Sequence, residues 1–201
     1  MARKPAPGAR DHILDNAARL FQEHGPRGVG TQRIIDECGC GKKLLYREFP
    51  SKDDLVVAYL ERCQREWGAI MDEATHPHAG DPARQLVALV QAVADQVTAP
   101  DYAGCPFRTT YSQYPDDAHP ANQVAVRHVK DLRARLLTLA RRAGARDPRA
   151  LADRIMLIID GLYINGAMLG RRGAATAAVA LADELVAGSV EAASSSSGKG
   201  T

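Results

Sequence analysis

The stretch GVGTQRIIDECGCGKKLLYREFPSKDDL, residues 28–55, decides the fold of this chain. It contains a short helical pattern that Thr31 can cap and Gly39 ends, a second that begins near Gly41, and a longer third that Ser51 caps. Two short helices joined by a glycine turn are typical of a helix-turn-helix, whose second helix enters the major groove of DNA. Six residues are expected to lock the two helices together: Ile34, Ile35, Cys38, Cys40, Leu45 and Phe49.

Helical periodicity continues on both sides of this stretch. Upstream, one apolar helix face ends where Gly25 and Pro26 stop it. Downstream, the patterns predict six more helices: a long one from residue 51, one over 81–100, a short one within 101–120, and three over about 122–143, 148–170 and 174–193. No strand pattern is recognisable. The chain is therefore predicted to be all-α, with about nine helices in total.

The two ends differ in composition from the rest of the chain. Residues 1–8 are basic and rich in Pro and Gly, which predicts a flexible arm, and the Ser and Gly run at 194–201 predicts a disordered tail. Between them, we assign residues 9–50 to an N-terminal three-helix domain that contains the helix-turn-helix, and residues 51–193 to a second helical domain.

Positive charge is concentrated near the amino terminus. Residues 1–52 carry 10 Lys or Arg against 6 Asp or Glu, and the remaining residues carry 16 against 18, although the formal net charge of all 201 residues is only +2. A local cation excess on a helix-turn-helix complements the phosphate backbone. We therefore expect double-stranded DNA as a partner.

Several other classes of protein fit the sequence poorly. No apolar run approaches the ~20 residues of a membrane span and no export signal is present, so we expect a cytoplasmic protein with no membrane partner. The four cysteines, Cys38, Cys40, Cys63 and Cys105, are then expected to be free thiols. The C-x-C of the first two lacks further ligands, and no catalytic or nucleotide-binding motif occurs, so we expect no metal, no cofactor and no enzymatic activity.

A set of residues between Arg10 and Leu55 has a more specific pattern than a bare helix-turn-helix. Its members are Arg10, Ile13, Leu14, Ala17, Ala18, Leu20, Phe21, Gly25, Gly28, Thr31, Ile34, Gly39, Leu45, Tyr46, Phe49, Ser51, Lys52 and Leu55. At these intervals they resemble the N-terminal signature of the TetR family of repressors. The resemblance implies a transcriptional regulator that binds a specific operator, represses transcription and leaves the DNA when a small molecule binds.

The resemblance also implies which residues face DNA: Thr31, Gln32, Lys42, Lys43, Leu44, Tyr46, Arg47 and Lys52. It assigns Thr31, Tyr46 and Lys52 to phosphates, and the cations Lys42, Lys43 and Arg47 to base edges or nearby phosphates. This division is reasonable because hydroxyls suit phosphate oxygens and cations suit the acceptor edge of guanine.

The chain departs from the usual family pattern in the turn and at the start of the second helix. Cys40 and Gly41 stand where Val and Ser are usual, and Lys43 and Leu44 stand where Gly and Thr are usual. The operator sequence is therefore expected to differ from those of relatives.

For residues 51–193 the resemblance implies a ligand-binding and dimerisation domain. The last two helices would pair with their copies in a homodimer, through Leu157, Ile158, Gly161, Leu162, Asn165, Met168, Leu181, Leu185 and Val186. An unknown small-molecule ligand would bind among the central helices, where the aromatic and polar candidates are Trp67, Met71, Phe107, Tyr111, Tyr114 and His128.

Two alternative functions remain open from the sequence. Cys105 lies between Gly104 and Pro106, in a loop or at a helix start where a thiolate is stabilised, so oxidation or modification of this thiol could control the repressor. A helical adaptor protein without DNA binding is the other alternative, although it leaves the charge asymmetry unexplained.

Overall fold

Helices account for most of the described chain. The computed structural model describes residues 8–169, 173 and 175–190. Within them the α-helices are α1 (Ala9–His24), α2 (Thr31–Cys38), α3 (Lys42–Glu48), α4 (Lys52–Thr75), α5 (Pro82–Val97), α6 (Pro106–Gln113), α7 (Pro120–Arg142), α8 (Pro148–Leu169) and α9 (Ala175–Val190), with a short 3-10 helix at His76–His78. The all-α prediction is confirmed, and the described part contains no strand. The predicted arm and tail lie outside the described residues, except for Gly8.

Several helix ends form as their sequences predict. The Oγ of Ser51 accepts a hydrogen bond from the backbone N–H of Asp54 at 3.0 Å, and Asp81 caps α5 in the same way through Arg84. Gly39 ends α2 with a φ of 60°, a left-handed conformation that glycine adopts without a side-chain penalty. The expectation for Thr31 was wrong: Gly30 occupies the N-cap position of α2, and no side chain caps this helix.

The described residues form two compact units. One contains the residues up to Arg65 together with Cys105–His128, and the other contains Glu66–Gly104 together with the residues from Val129 onward. This division differs from the predicted boundary after residue 50, since α4 contributes to both units and the segment 105–128 belongs with the helix-turn-helix.

The core of the first unit lies among α1, α2, α3 and the beginning of α4. Its largest side chains are almost completely inaccessible to solvent: Ile13, Leu20, Phe21, Ile34, Leu45, Phe49, Leu55 and Leu60. The ring of Phe21 meets that of Tyr59 edge to face, with 5.4 Å between centroids. The apolar face that the sequence predicts over residues 13–21 is therefore buried in the core of the first unit.

Polar contacts attach the segment 105–128 to the helix-turn-helix. The side-chain oxygen of Gln113, the last residue of α6, accepts from the backbone N–H of Arg27 at 3.0 Å. The Arg27 guanidinium in turn donates to the backbone carbonyl of Gln113 at 2.8 Å. Nearer to α7, His119 Nε2 lies 3.4 Å from a carboxylate oxygen of Asp53. These contacts join residues far apart in sequence, which is why periodicity alone placed the boundary elsewhere.

The second unit is built on the packing of α5 against α8 and α9. Its core contains Leu86, Leu89, Val90, Val93, Leu151, Ile155, Ile159 and Ala182. A Cβ added to Gly166 would lie 2.4 Å from the Cβ of Val97, so the glycine allows α8 to approach α5 closely. No helix in the described residues is both long enough and apolar enough to cross a membrane.

Candidate nucleic-acid interface

The helix α3 has two distinct sides. Leu45 and, just after the helix, Phe49 are buried in the first unit. Lys42, Lys43 and Arg47 are exposed, and Tyr46 keeps 39% of its surface accessible. The exposed positions 42, 43, 46 and 47 recur at the spacing of one helix face, opposite the buried one. This face carries three cations and a phenol hydroxyl with nothing from the described protomer covering it.

Long-range contacts hold α3 in place against α1. The guanidinium of Arg10 lies over the ring of Phe49, 4.1 Å from its centroid, and its Nη1 donates to the backbone carbonyl of Glu48 at 2.5 Å. The bond satisfies a carbonyl that the end of α3 leaves open. Arg10 is therefore a positioning residue for α3, a role that sequence spacing could not reveal because 38 residues separate it from Glu48.

The helix α2 lies beside α3 and contributes fewer exposed groups. Thr31 is half-buried at its start, and Gln32 is exposed and donates to Asp36 at 2.8 Å, one turn further along. An ion pair between Arg19 and Glu37 attaches α2 to α1. The predicted DNA-facing residues of α2 thus lie on a helix fixed to its neighbour.

Three remaining candidates border this surface. Leu44 is half-buried. Lys52 is also half-buried, and this partial burial lowers the pKa of its ammonium group, an effect that the neighbouring Asp53 partly opposes. The exposed Arg47 is within 3.2 Å of the Glu48 carboxylate. Exposed ion pairs of this kind contribute little to stability, so Arg47 can exchange this partner for a phosphate at small cost.

The cysteines of the turn differ from the sequence expectation. Cys38 and Cys40 form a disulfide across Gly39, so the prediction of four free thiols is wrong for this pair. Their Cα atoms are 5.2 Å apart, a separation that permits a disulfide although only one residue lies between them. Cys38 is buried as predicted, whereas Cys40 is half-buried. Cys63 and Cys105 are buried and take no part in a disulfide.

Four of the six predicted ligand-binding residues belong to the first unit. Phe107 and His128 are both buried, and their rings stack with 3.6 Å between centroids. Burial, and then the charge of Arg108, lowers the pKa of His128 to about 4, so its imidazole is neutral at pH 7. Tyr114 stacks on His119, and Tyr111 is 54% exposed.

The other two, Trp67 and Met71, are buried in the second unit, where the indole lies 6.3 Å from the ring of Tyr163. The second unit also has an open cavity of about 410 Å³ between α5 and α9, bordered by Arg84, Asp95 and Asp183. None of the six predicted residues lines it. The ligand site therefore stays a prediction.

The predicted dimer residues separate into two groups. Leu157, Met168 and Leu181 are exposed, and Ile158, Gly161, Asn165 and Leu185 are half-buried. By contrast, Leu162 and Val186 are only 1% and 3% exposed in a single chain. These two side chains pack inside the second unit, and their assignment to the interface stays a prediction. Ile164, which was not among the predicted residues, is 60% exposed on α8 and follows Leu157 by two helical turns.

A model of a known protein family matches the residues that form the surface around α3. The model of the bacterial regulatory proteins of the tetR family matches residues 13–59, which span most of α1, both helices of the helix-turn-helix and the start of α4. Over these residues the chain is similar to the TetR family. It is a DNA-binding transcriptional regulator, and the alternative of an adaptor without DNA binding is not supported.

Similarity to TetR-family proteins extends beyond the matched region. The transcriptional regulator BetI of Brucella melitensis is 27% identical over 184 residues, covering 90% of this chain and 91% of BetI. A TetR-family regulator from Streptomyces coelicolor has a crystal structure with a TM-score of 0.79, at 27% identity over 91% of this chain and 94% of that one. A structure of a similar regulator from Streptomyces avermitilis gives 0.78, at 28% identity over 90% and 97%.

Proposed function

We propose that this regulator is a repressor that binds a double-stranded operator as a homodimer, with one α3 of each copy in the major groove. The observation that carries the proposal is the exposed face of α3, whose cations lie opposite a side buried in the core. Because its other side stays buried in the core, such a helix can present side chains to base edges without losing the contacts that stabilise the fold. Because bacterial operators are cytoplasmic, we place its action in the cytoplasm.

Each predicted DNA contact has a chemical role that agrees with its exposure. Lys42, Lys43 and Arg47, exposed on α3, would contact base edges and adjacent phosphates. Tyr46, Thr31 and Lys52 would donate to phosphate oxygens on either side of the groove. Gln32 and Leu44 complete the surface, the first through its amide and the second through apolar contact.

Dimerisation would use an apolar face on the second unit. We define this apolar face as Leu157, Ile164 and Met168 of α8 together with Leu181 of α9, which are between 53% and 77% exposed. The three α8 residues follow one another at helical spacing and form a single stripe. Monomeric proteins seldom leave such a stripe in water, and an isologous interface with a second copy would bury it.

Release by a small molecule would act through the segment 105–128. This segment holds four of the predicted ligand residues and is hydrogen-bonded to the helix-turn-helix between Gln113 and Arg27. A ligand that moved α6 would therefore move the loop between α1 and α2. Displaced recognition helices would no longer match half-sites about 34 Å apart.

The proposal is tested by fluorescence polarisation with a labelled duplex from the region upstream of the gene. We expect a Kd of roughly 10 nM or below, rising steeply as salt increases, because each phosphate contact releases counterions. A scrambled duplex of the same composition is the control. Equal affinity for both duplexes, or weak binding that does not respond to salt, would contradict the proposed function.

A further inference from the structure

We propose that Cys38 and Cys40 form a reversible dithiol–disulfide site in the turn of the helix-turn-helix, and that oxidation of the pair strengthens operator binding. The inference rests on the proposed function, since it concerns regulation of the same DNA-binding surface. It differs from control at Cys105, which lies in the other part of the first unit and is buried without a second thiol joined to it.

The position of the pair connects it to the recognition helix. Cys38 is the last residue of α2, and Cys40 is two residues before the start of α3. The disulfide closes across Gly39, which has a φ of 60°. The carbonyl of Cys38 lies 3.0 Å from His12 Nε2, so the first cysteine is also attached to α1. Forming or breaking the disulfide therefore acts on the junction that orients α3.

The two cysteines differ in accessibility. Cys40 is half-buried, so a dissolved oxidant can reach it more easily than Cys38, which is only 8% exposed. The position of Cys38 beside Cys40 lets it react with an intermediate that forms there. Cys40 is thus the site of attack, and the buried Cys38 resolves the intermediate.

A peroxide is the simplest oxidant for this pair. The Cys40 thiolate attacks one peroxide oxygen and the O–O bond breaks, which leaves a sulfenic acid on Cys40 and releases the other oxygen as water after protonation. The Cys38 thiolate then attacks the Cys40 sulfur, the S–O bond breaks and a second water leaves. In total, two thiols and one hydrogen peroxide give one disulfide and two waters, and two electrons pass from sulfur to oxygen. A dithiol reductant reverses the change by exchange.

The consequence for DNA binding follows from the residues around the pair. Cys40 stands between Gly39 and Gly41, so the reduced turn contains two residues with unusually wide backbone freedom. The disulfide removes much of that freedom. In the disulfide form α2 and α3 are both intact, and Leu45 N–H bonds to the Gly41 carbonyl at 3.1 Å. Oxidation therefore preorganises a surface that DNA would otherwise have to order.

The first experiment measures the chemistry without DNA. The full-length protein is treated with hydrogen peroxide or with dithiothreitol, remaining thiols are alkylated after unfolding, and the peptides are analysed by mass spectrometry. After peroxide treatment we expect Cys38 and Cys40 to be protected together from alkylation, while Cys63 and Cys105 are alkylated. Dithiothreitol should make Cys38 and Cys40 available for alkylation again. Protection confined to Cys105, or none at the pair, would overturn the proposal whatever the protein does on DNA.

The second experiment compares operator affinity in the two states. We expect the oxidised protein to bind roughly twofold to fivefold more tightly, the size of effect that restricting glycine-like freedom produces. Cys40→Ser should bind the operator like the reduced protein, with the same affinity after peroxide and after dithiothreitol. Cys40→Val is a second variant that cannot form the disulfide, and it has an apolar side chain. Cys105→Ala is the matched control and should keep the response.

The outcomes separate the two proposals. Equal operator binding in both states, or a response that survives in both Cys40 variants, would contradict the switch but not the repressor. If neither state distinguishes operator from scrambled duplex, the repressor proposal fails, while the peptide analysis still decides whether the pair is reversible.

Discussion

The exposed face of α3 and the apolar face of α8 and α9 are both helix surfaces that a single chain leaves in water, but they differ in chemistry and in origin. The first carries cations beside a buried stripe only a few residues away in sequence. The second is apolar, as is the core side of the same helices. Charge identifies an outward side by itself, whereas an apolar residue on an apolar helix can belong to either the core or an interface.

The largest expected effect comes from placing charge on the apolar face. In Leu157→Glu/Met168→Glu, the protomer should stay folded because both side chains are at least 70% exposed, but the dimer should dissociate. Operator affinity should fall about a hundredfold or more, since unpaired carboxylates would have to be buried in the interface. Light scattering after gel filtration and fluorescence polarisation measure the two effects. Lys130→Glu, exposed on α7, is the control; an unchanged dimer in the α8 variant would place the interface elsewhere.

Two leucines on α8 distinguish core from interface directly. Leu162→Ala should lower the free energy of unfolding by about 3 kcal/mol, because it leaves a cavity in the second unit. Leu157→Ala removes the same atoms from an exposed position and should change protomer stability by less than about 0.5 kcal/mol. Urea unfolding at several protein concentrations separates protomer stability from dimer stability. Similar losses in both variants at low concentration would show that the two leucines share one role.

A smaller effect is expected when cations are removed from the exposed face of α3. Lys42→Ala/Lys43→Ala should weaken operator binding roughly tenfold to a hundredfold and reduce the slope of log affinity against log salt by about 2, with the melting temperature unchanged. Arg84→Ala/Lys130→Ala removes two exposed cations from the second unit and controls for net charge. A loss of equal size in the control would mean that general charge, rather than this face, governs binding.

The smallest expected effect comes from removing the side-chain cap of α4. Ser51→Ala removes the oxygen that accepts from the Asp54 N–H, and should lower the free energy of unfolding by about 1 kcal/mol. Ser51→Thr keeps an acceptor and should recover most of the loss. Denaturant unfolding followed by circular dichroism measures both variants. If Thr were no better than Ala, the hydrogen bond would not be the source of the stability.

The sequence predicted the helices well because each depends on neighbours along the chain. The Ser51 cap, the Gly39 ending and the alternation of buried and exposed residues on α3 are decided within a turn or two of helix. The cap assigned to Thr31 failed because Gly30 also suits an N-cap, and local pattern does not choose between two adjacent candidates. The cysteines were misjudged on general grounds of cellular redox state, which say nothing about the distance between two particular sulfurs.

Contacts between residues far apart in the chain could not be predicted from the sequence pattern. Arg10 on the ring of Phe49, Gln113 against Arg27, and the burial of Leu162 each join helices whose relative positions no periodicity specifies. The same limit explains why the segment 105–128 was assigned to the second domain. Its composition is that of an ordinary helix between loops, which does not indicate the polar contacts that attach it to the helix-turn-helix.

By itself, the sequence determined the helical class, the helix-turn-helix, the outward cations of α3 and the similarity to the TetR family. These features depend on side-chain spacing, on glycine conformation and on charge, all of which act over short stretches of chain. The tertiary structure alone decided which apolar residues of α8 and α9 the chain uses for its own core, which arginine positions α3, and that the two cysteines of the turn are joined. Those outcomes depend on distances between atoms that only the packing of helices brings together.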